Sequence, residues 1–197
     1  MKLQKLFFAA VIVLSANATF AQVDSKVATH LVTISIPEVA LLDLEVASGT
    51  TTVALAGTAP TEAGLPMTFG AAATNATIWM NYSSIVKGAL LRNVGVAITQ
   101  GLATLPVGLK LTVEAGVAAA TGAGTKGTAS SVLTLSGTSQ NIVTGIGSAY
   151  TGTGATGHNL TYKLDYATSE AANYAALKFD DTAAASLTIT YTLSDSI

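Results

Sequence analysis

Along most of this chain, hydrophobic and polar residues alternate in short runs. "SLTITYTL" sets Leu187, Ile189, Tyr191 and Leu193 against Thr188, Thr190 and Thr192. "GLKLTVEA" opposes Leu109, Leu111 and Val113 to Lys110, Thr112 and Glu114, and "NLTYKLDY" opposes Leu160, Tyr162, Leu164 and Tyr166 to Thr161, Lys163 and Asp165. "ALLDLEV" places Leu42, Leu44 and Val46 opposite Asp43 and Glu45, and "HLVTISI" groups Val32, Ile34 and Ile36 with His30 at the strand's beginning. Successive side chains of a strand point to opposite faces, so each run predicts a strand with one apolar and one polar face. Four further runs, at 76–82, 94–99, 131–135 and 140–146, carry the same signal.

Between the runs lie "ASGTTT", "GTAPTEAGLP", "TGAGTKGTAS" and "TGTGATGHN", compositions that punctuate strands and predict connectors. Two segments, "TEAGLPMTFGAAATN" and "ATSEAANYAALKF", have room for a short helical turn but no sustained 3.6-residue period. Antiparallel sheets packed face to face satisfy strands with one apolar face each. The expectation is an all-β chain: a single antiparallel β-sandwich, Ig-like, of about eight to ten strands.

The first residues change where this domain is expected to work. "MKLQKLFFAAVIVLSANATFAQ" has Lys2 and Lys5, a short apolar core, and small residues Thr19 and Ala21 before Gln22, the order of a secretory signal. Its apolar run falls short of the roughly 18 residues a spanning helix needs. Residues 1–21 are therefore read as a signal peptide and 22–197 as one exported domain, extracellular or at the cell surface, with periplasm or outer membrane as further destinations. No later stretch is apolar enough to span as a helix.

Charge and cysteine narrow the chemistry. Charged residues make up 10% of the chain, against about 25% in an ordinary soluble domain. Losing Lys2 and Lys5 takes the formal charge from −2 to −4, which excludes a basic nucleic-acid surface. There are no cysteines, hence no disulfide framework and no thiolate chemistry. A weakly charged, threonine-rich surface suits a protein covered by copies of itself, or a soluble domain with threonine-rich exposed faces.

"YTGTGATGHNLTY" contains a literal G-x-G-x-x-G at Gly152, Gly154 and Gly157. A dinucleotide site needs those glycines between a parallel strand and a helix whose N-terminus holds the pyrophosphate. Here they lead into an alternating strand, and "AATGAGTKG" repeats the pattern thirty residues earlier. Both read as hairpin loops at one end of the sandwich, and no cofactor is expected.

Other chemistry is sparse. His158 sits in the glycine loop, and two histidines without H-E-x-x-H spacing make no zinc site. No G-x-S-x-G elbow supports a hydrolase. Asp43 and Glu45 share a strand face, which reads as solvated, and "FDDT" offers Asp180 and Asp181 as calcium oxygens without the D-x-D-x-D-G series. "TIWMNYSS" leaves Trp79 and Asn81 on the face opposite Ile78, Met80 and Tyr82; with Tyr150 they form a candidate glycan-stacking platform.

"HLVTISIPEVALLDLEV", broken by Pro37, and the closing "AASLTITYTLSD" resemble exported bacterial Ig-like surface proteins and, distantly, pilin-type subunits. "VTGIGSAYTGTGATGHNLTYKL" is similar to the glycine-rich hairpin of spore-coat-U-like fimbrial proteins. The resemblance implies subunits that assemble when a strand of one copy completes the sheet of another. The segment at 26–36, with His30, Val32, Ile34 and Ile36, is the candidate assembly strand; pairing within its own chain, beside the final strand, is the competing expectation. The functional expectation is a non-enzymatic structural or adhesive subunit. The alternatives are a carbohydrate-binding module and a small outer-membrane β-barrel, for which the aromatic girdles are missing.

Overall fold

The structure is a computed structural model, and it describes residues 26–178 and 184–196. The expected signal peptide at 1–21, Asp180 and Asp181 lie outside the described residues. Nine antiparallel strands follow one another: β1 (Val39–Val46), β2 (Thr74–Ile85), β3 (Arg92–Gln100), β4 (Leu109–Ala115), β5 (Ala123–Ala129), β6 (Leu133–Thr134), β7 (Gln140–Tyr150), β8 (His158–Tyr166) and β9 (Thr188–Asp195). All belong to a compact unit that begins at Ile36. The expected all-β, sandwich-like architecture is what forms.

One half of the sheet runs β6-β4-β8-β2, with β1 on the other side of β2; the other runs β7-β3-β9, with β5 also on β7. β2 is long enough to serve both halves. Its first part pairs with β8, and Ser83 and Ser84 pair with Tyr150 and Ala149 of β7. The two halves turn their apolar rows toward each other, and Tyr162 of β8 meets Tyr191 of β9 across the interior, hydroxyl to hydroxyl at 2.7 Å. Met80, Val94, Val96, Val113, Ile142, Ile146 and Leu160 are each fully buried between them. Burial of such a side chain supplies about 1.5–3 kcal/mol, and without disulfides this core and the strand hydrogen bonds hold the fold.

Helical structure among the described residues is limited to single turns, two in the segments with room for one and a third, a 3-10 turn, at Leu102–Thr104. Ala71–Ala73 is a single 3-10 turn, and Glu170–Asn173 is one α-helical turn followed by 3-10 residues Tyr174–Ala176. Ser169 caps the helical turn by accepting the Ala172 amide at 3.3 Å, as expected of a serine at an N-cap.

Four expectations are corrected. "TGAGTKGTAS" holds a strand, β5, paired along β7 from Ala123↔Tyr150 to Ala129↔Val143. The segment at 26–36 forms no strand. His30, expected at the beginning of a strand on its apolar face, is exposed. The expected strand at 131–135 shrinks to the two residues of β6.

Candidate functional site

The three residues read as a glycan platform are not brought together. Trp79 lies half-buried between its cross-strand partners Glu45 and Asn159. Asn81, expected on the exposed face, is buried, because the loop after β7 returns over it. Its Nδ2 donates to the Gly154 carbonyl at 2.8 Å, and its Oδ1 accepts from Thr151 Oγ1 at 3.3 Å. Thr151 Oγ1 in turn accepts the Tyr82 amide at 3.0 Å. Tyr150 is exposed and lines a shallow crevice of about 560 Å³ with Val39, Ser83, Ile85 and Ser148. Neither Trp79 nor Asn81 reaches that crevice.

The glycine motif is the reason the loop can lie flat. A Cβ on Gly157 would sit 2.0 Å from the Met80 carbonyl oxygen, so only glycine allows this approach to β2. Glu45 receives the Gly154 amide, so one of the two paired strand carboxylates is spent on fixing the loop. Asp43 accepts the amide of its neighbour Leu44 at 2.8 Å. The other glycine segment lies alongside: the Ala119 amide reaches the Gly157 carbonyl at 3.3 Å.

His158 is nearly sealed, at 1% exposure. Nδ1 lies 2.7 Å from the Gly116 carbonyl, and Nε2 lies 3.0 Å from the Tyr82 hydroxyl, which donates to the Lys126 carbonyl. Burial lowers the histidine's pKa, opposed by the backbone contacts to Gly116 and Lys126, and the Lys126 ammonium lowers it further. Burial also pushes the phenols of Tyr82, Tyr162 and Tyr191 up. The sequence carried a signal for this placement: His158 shares its parity with Leu160 and Tyr162 and so belongs to the core row of β8.

The most distinctive surface is a seam between β1 and β9. Each is paired on one side only, β1 with β2 and β9 with β3, among the described residues. The inward rows, Leu42, Leu44 and Val46 on β1 and Ile189, Tyr191 and Leu193 on β9, pack against the core but are only partly buried. Natural edge strands are usually shortened, bulged, or blunted with lysine or proline. β9 has eight residues, "TITYTLSD", with no lysine, proline or glycine. The two other edges differ: β6 has two residues, and β5 is "AGTKGTA", broken by glycines at positive φ and carrying a lysine.

One end of the seam is pinned by Arg92. This side chain on β3 is buried, and its guanidinium donates to the carboxylates of Glu38 and Asp195, to the carbonyls of Val39 and Ile85, and to Ser84 Oγ. It ties the start of β1 to the end of β9, which holds the two open edges side by side. Its planar fork satisfies several acceptors at once, a geometry that lysine lacks.

The segment at 26–35 is a unit of its own. Leu31, Val32 and Ile34 are 91%, 64% and 81% exposed, and Ile36, which follows it, is 74% exposed.

Among the described residues no three His, Asp or Glu side chains cluster in a metal-holding arrangement, and no helix is long and apolar enough to cross a membrane. Compared with protein families, characterised proteins and solved structures, the chain finds no match.

Proposed function

We propose that this chain is an exported, non-enzymatic structural or adhesive subunit that assembles with copies of itself by β-strand addition. The segment at 26–36 of one copy lies against the free edge of β9, between β9 and β1, in the next. The observation that carries this reading is a complementarity. The chain exposes an alternating apolar segment about as long as β9, and it leaves a seam of that length with unblunted edges and a partly covered apolar floor. Backbone pairing to the free edge supplies affinity, and the row His30, Val32, Ile34 and Ile36 enters the seam.

Export rests on the leader sequence, and the sparse charge suits a surface covered by neighbouring copies. The apolar rows that face inward favour a sandwich subunit over a barrel, whose apolar face must point to lipid.

The test compares the chain from Gln22 with one truncated through Ile36, by light scattering after size exclusion without detergent and by negative-stain microscopy. The expected result is large regular particles from the longer chain and a folded monomer from the shorter. A monomeric longer chain overturns the proposal, and a truncated chain that fails to fold assigns the segment to its own sandwich instead.

A second reading, a carbohydrate-binding surface, has the crevice beside Tyr150 in its favour, because this exposed tyrosine and three serines, Ser83, Ser84 and Ser148, line it. Glycan-array binding that is lost on Tyr150→Ala but kept on Trp79→Ala would support it.

A further inference from the structure

The relay through His158 has a proton-count problem that bears on how this end of the molecule behaves. It begins on the Gly116 carbonyl, passes through both nitrogens of His158 and the Tyr82 hydroxyl, and ends on the Lys126 carbonyl. Both terminal groups only accept. Three contacts call for three hydrogens, whereas a neutral imidazole and a phenol supply two. A proton taken up by the imidazole would provide the third, with Nδ1–H directed to Gly116, Nε2–H to Tyr82, and the Tyr82 O–H to Lys126.

That proton is also a buried charge. The titratable groups facing His158 are Tyr82 from β2 and Lys126 from β5, and the turn after β4 offers only the Gly116 carbonyl. Lys126 is itself cationic, held by the carbonyls of Ala119 at 2.5 Å and Thr121 at 3.0 Å. On β8, Lys163 and Asp165 lie toward the other end of the strand and pair with each other at 2.6 Å. Among the described residues no carboxylate faces the imidazole, so one additional hydrogen bond stands against lost solvation and a neighbouring ammonium, and the charge dominates.

We infer that His158 is a proton-triggered latch: neutral, it fastens the Gly116 turn to β8 beside the Tyr82–Lys126 contact that joins β2 to β5, and protonated, it releases that end. The direction follows from linkage. The closed state favours neutral imidazole, and any opened state lets His158 titrate near its ordinary value of about 6.5. The latch is therefore fully engaged above that value and weakens as pH falls through the lower value of the closed state. The Ala119 amide to Gly157 and the two Lys126 contacts lie on the segment the latch holds, so the glycine segments at 116–127 and 151–158 loosen together. The inference is independent of strand addition, which uses β1 and β9.

Hydrogen exchange followed by mass spectrometry tests it, on the chain from Gln22, at pH 7.5 and 5.0 with rates corrected for intrinsic exchange. The expected result is about a tenfold loss of protection at 116–127 and 151–158 at the lower pH, with β3 unchanged. His158→Gln, which cannot take up the proton, abolishes the pH dependence; the other histidine, His30, remains as a control. Tyr82→Phe removes the acceptor of Nε2–H and moves the midpoint to lower pH, which serves if the glutamine variant does not fold. Unchanged protection of both segments between the two pH values overturns the latch, as does a pH dependence that survives His158→Gln.

Discussion

β3 and β9 run side by side with matched chemistry and unequal burial. Val94, Val96 and Ile98 are 0%, 0% and 3% exposed, while their register partners Leu193, Tyr191 and Ile189 are only partly buried. The same contrast holds between β2 and β1: Ile78, Met80 and Tyr82 are buried, and their partners Val46, Leu44 and Leu42 are not fully covered. Residue type does not account for the difference. What separates the pairs is whether strands lie on both flanks, as for β3 and β2, or on one only, as for β9 and β1. A side chain on an edge strand is covered from one flank only, so the seam keeps apolar surface that a further strand would bury.

Substitutions sharpen that comparison. The largest effect is expected in the closed core, where Met80→Ala should cost about 3–4 kcal/mol in urea denaturation of the truncated monomer. Arg92→Ala should cost about 3 kcal/mol, because the carbonyls of Val39 and Ile85 lose their donor while Glu38 and Asp195 rehydrate. Arg92→Lys should recover only part, since an ammonium cannot serve all of those acceptors. Gly157→Ala should cost about 2 kcal/mol by forcing the loop off the Met80 carbonyl. Leu193→Ala, in the seam, should cost only about 1 kcal/mol in the monomer. It should cost more in assembled material if the seam is filled there, and an equal penalty in both states would mean that nothing enters it.

Acid is expected to have the smallest effect on global stability. The His158 pKa is lowered in the fold, so its contribution is complete above about pH 6.5 and is lost as pH falls below it. A urea midpoint measured from pH 8 to 5 should decline over that range in the parent and stay flatter in His158→Gln.

Much of this architecture is legible from alternation alone, because the period of two directly records which face of a strand is buried. β9 follows the expected faces residue by residue; β4 and β8 follow them except that Thr112 is buried and Leu164 and Asp165 are both half-buried. β5 escaped because Gly122, Gly124 and Gly127 read as turns. At Gly124 the positive φ and a Cβ that would meet the Ser148 carbonyl at 2.1 Å show that glycine is needed to lie this close to β7. Backbone fit, not a side-chain pattern, places that strand. The segment at 26–36 shows the opposite failure: its alternation matches that of β9, but alternation specifies a face and says nothing of a partner. Asn81 and His158 were hard to place for a third reason. The Gly154 carbonyl that engages Asn81 lies 73 residues away in sequence, and the Tyr82 hydroxyl that engages His158 lies 76 away, so only the folded chain brings them together.

The central claim is that residues 26–36 of another copy complete the seam. Its most direct test adds a synthetic peptide of those residues to ¹⁵N-labelled protein truncated through Ile36 and follows amide exchange along β9. The account predicts one-to-one binding, with protection gained at alternate β9 amides, those pointing away from β3. A folded truncated protein whose β9 amides exchange at the same rate with and without the peptide would contradict it.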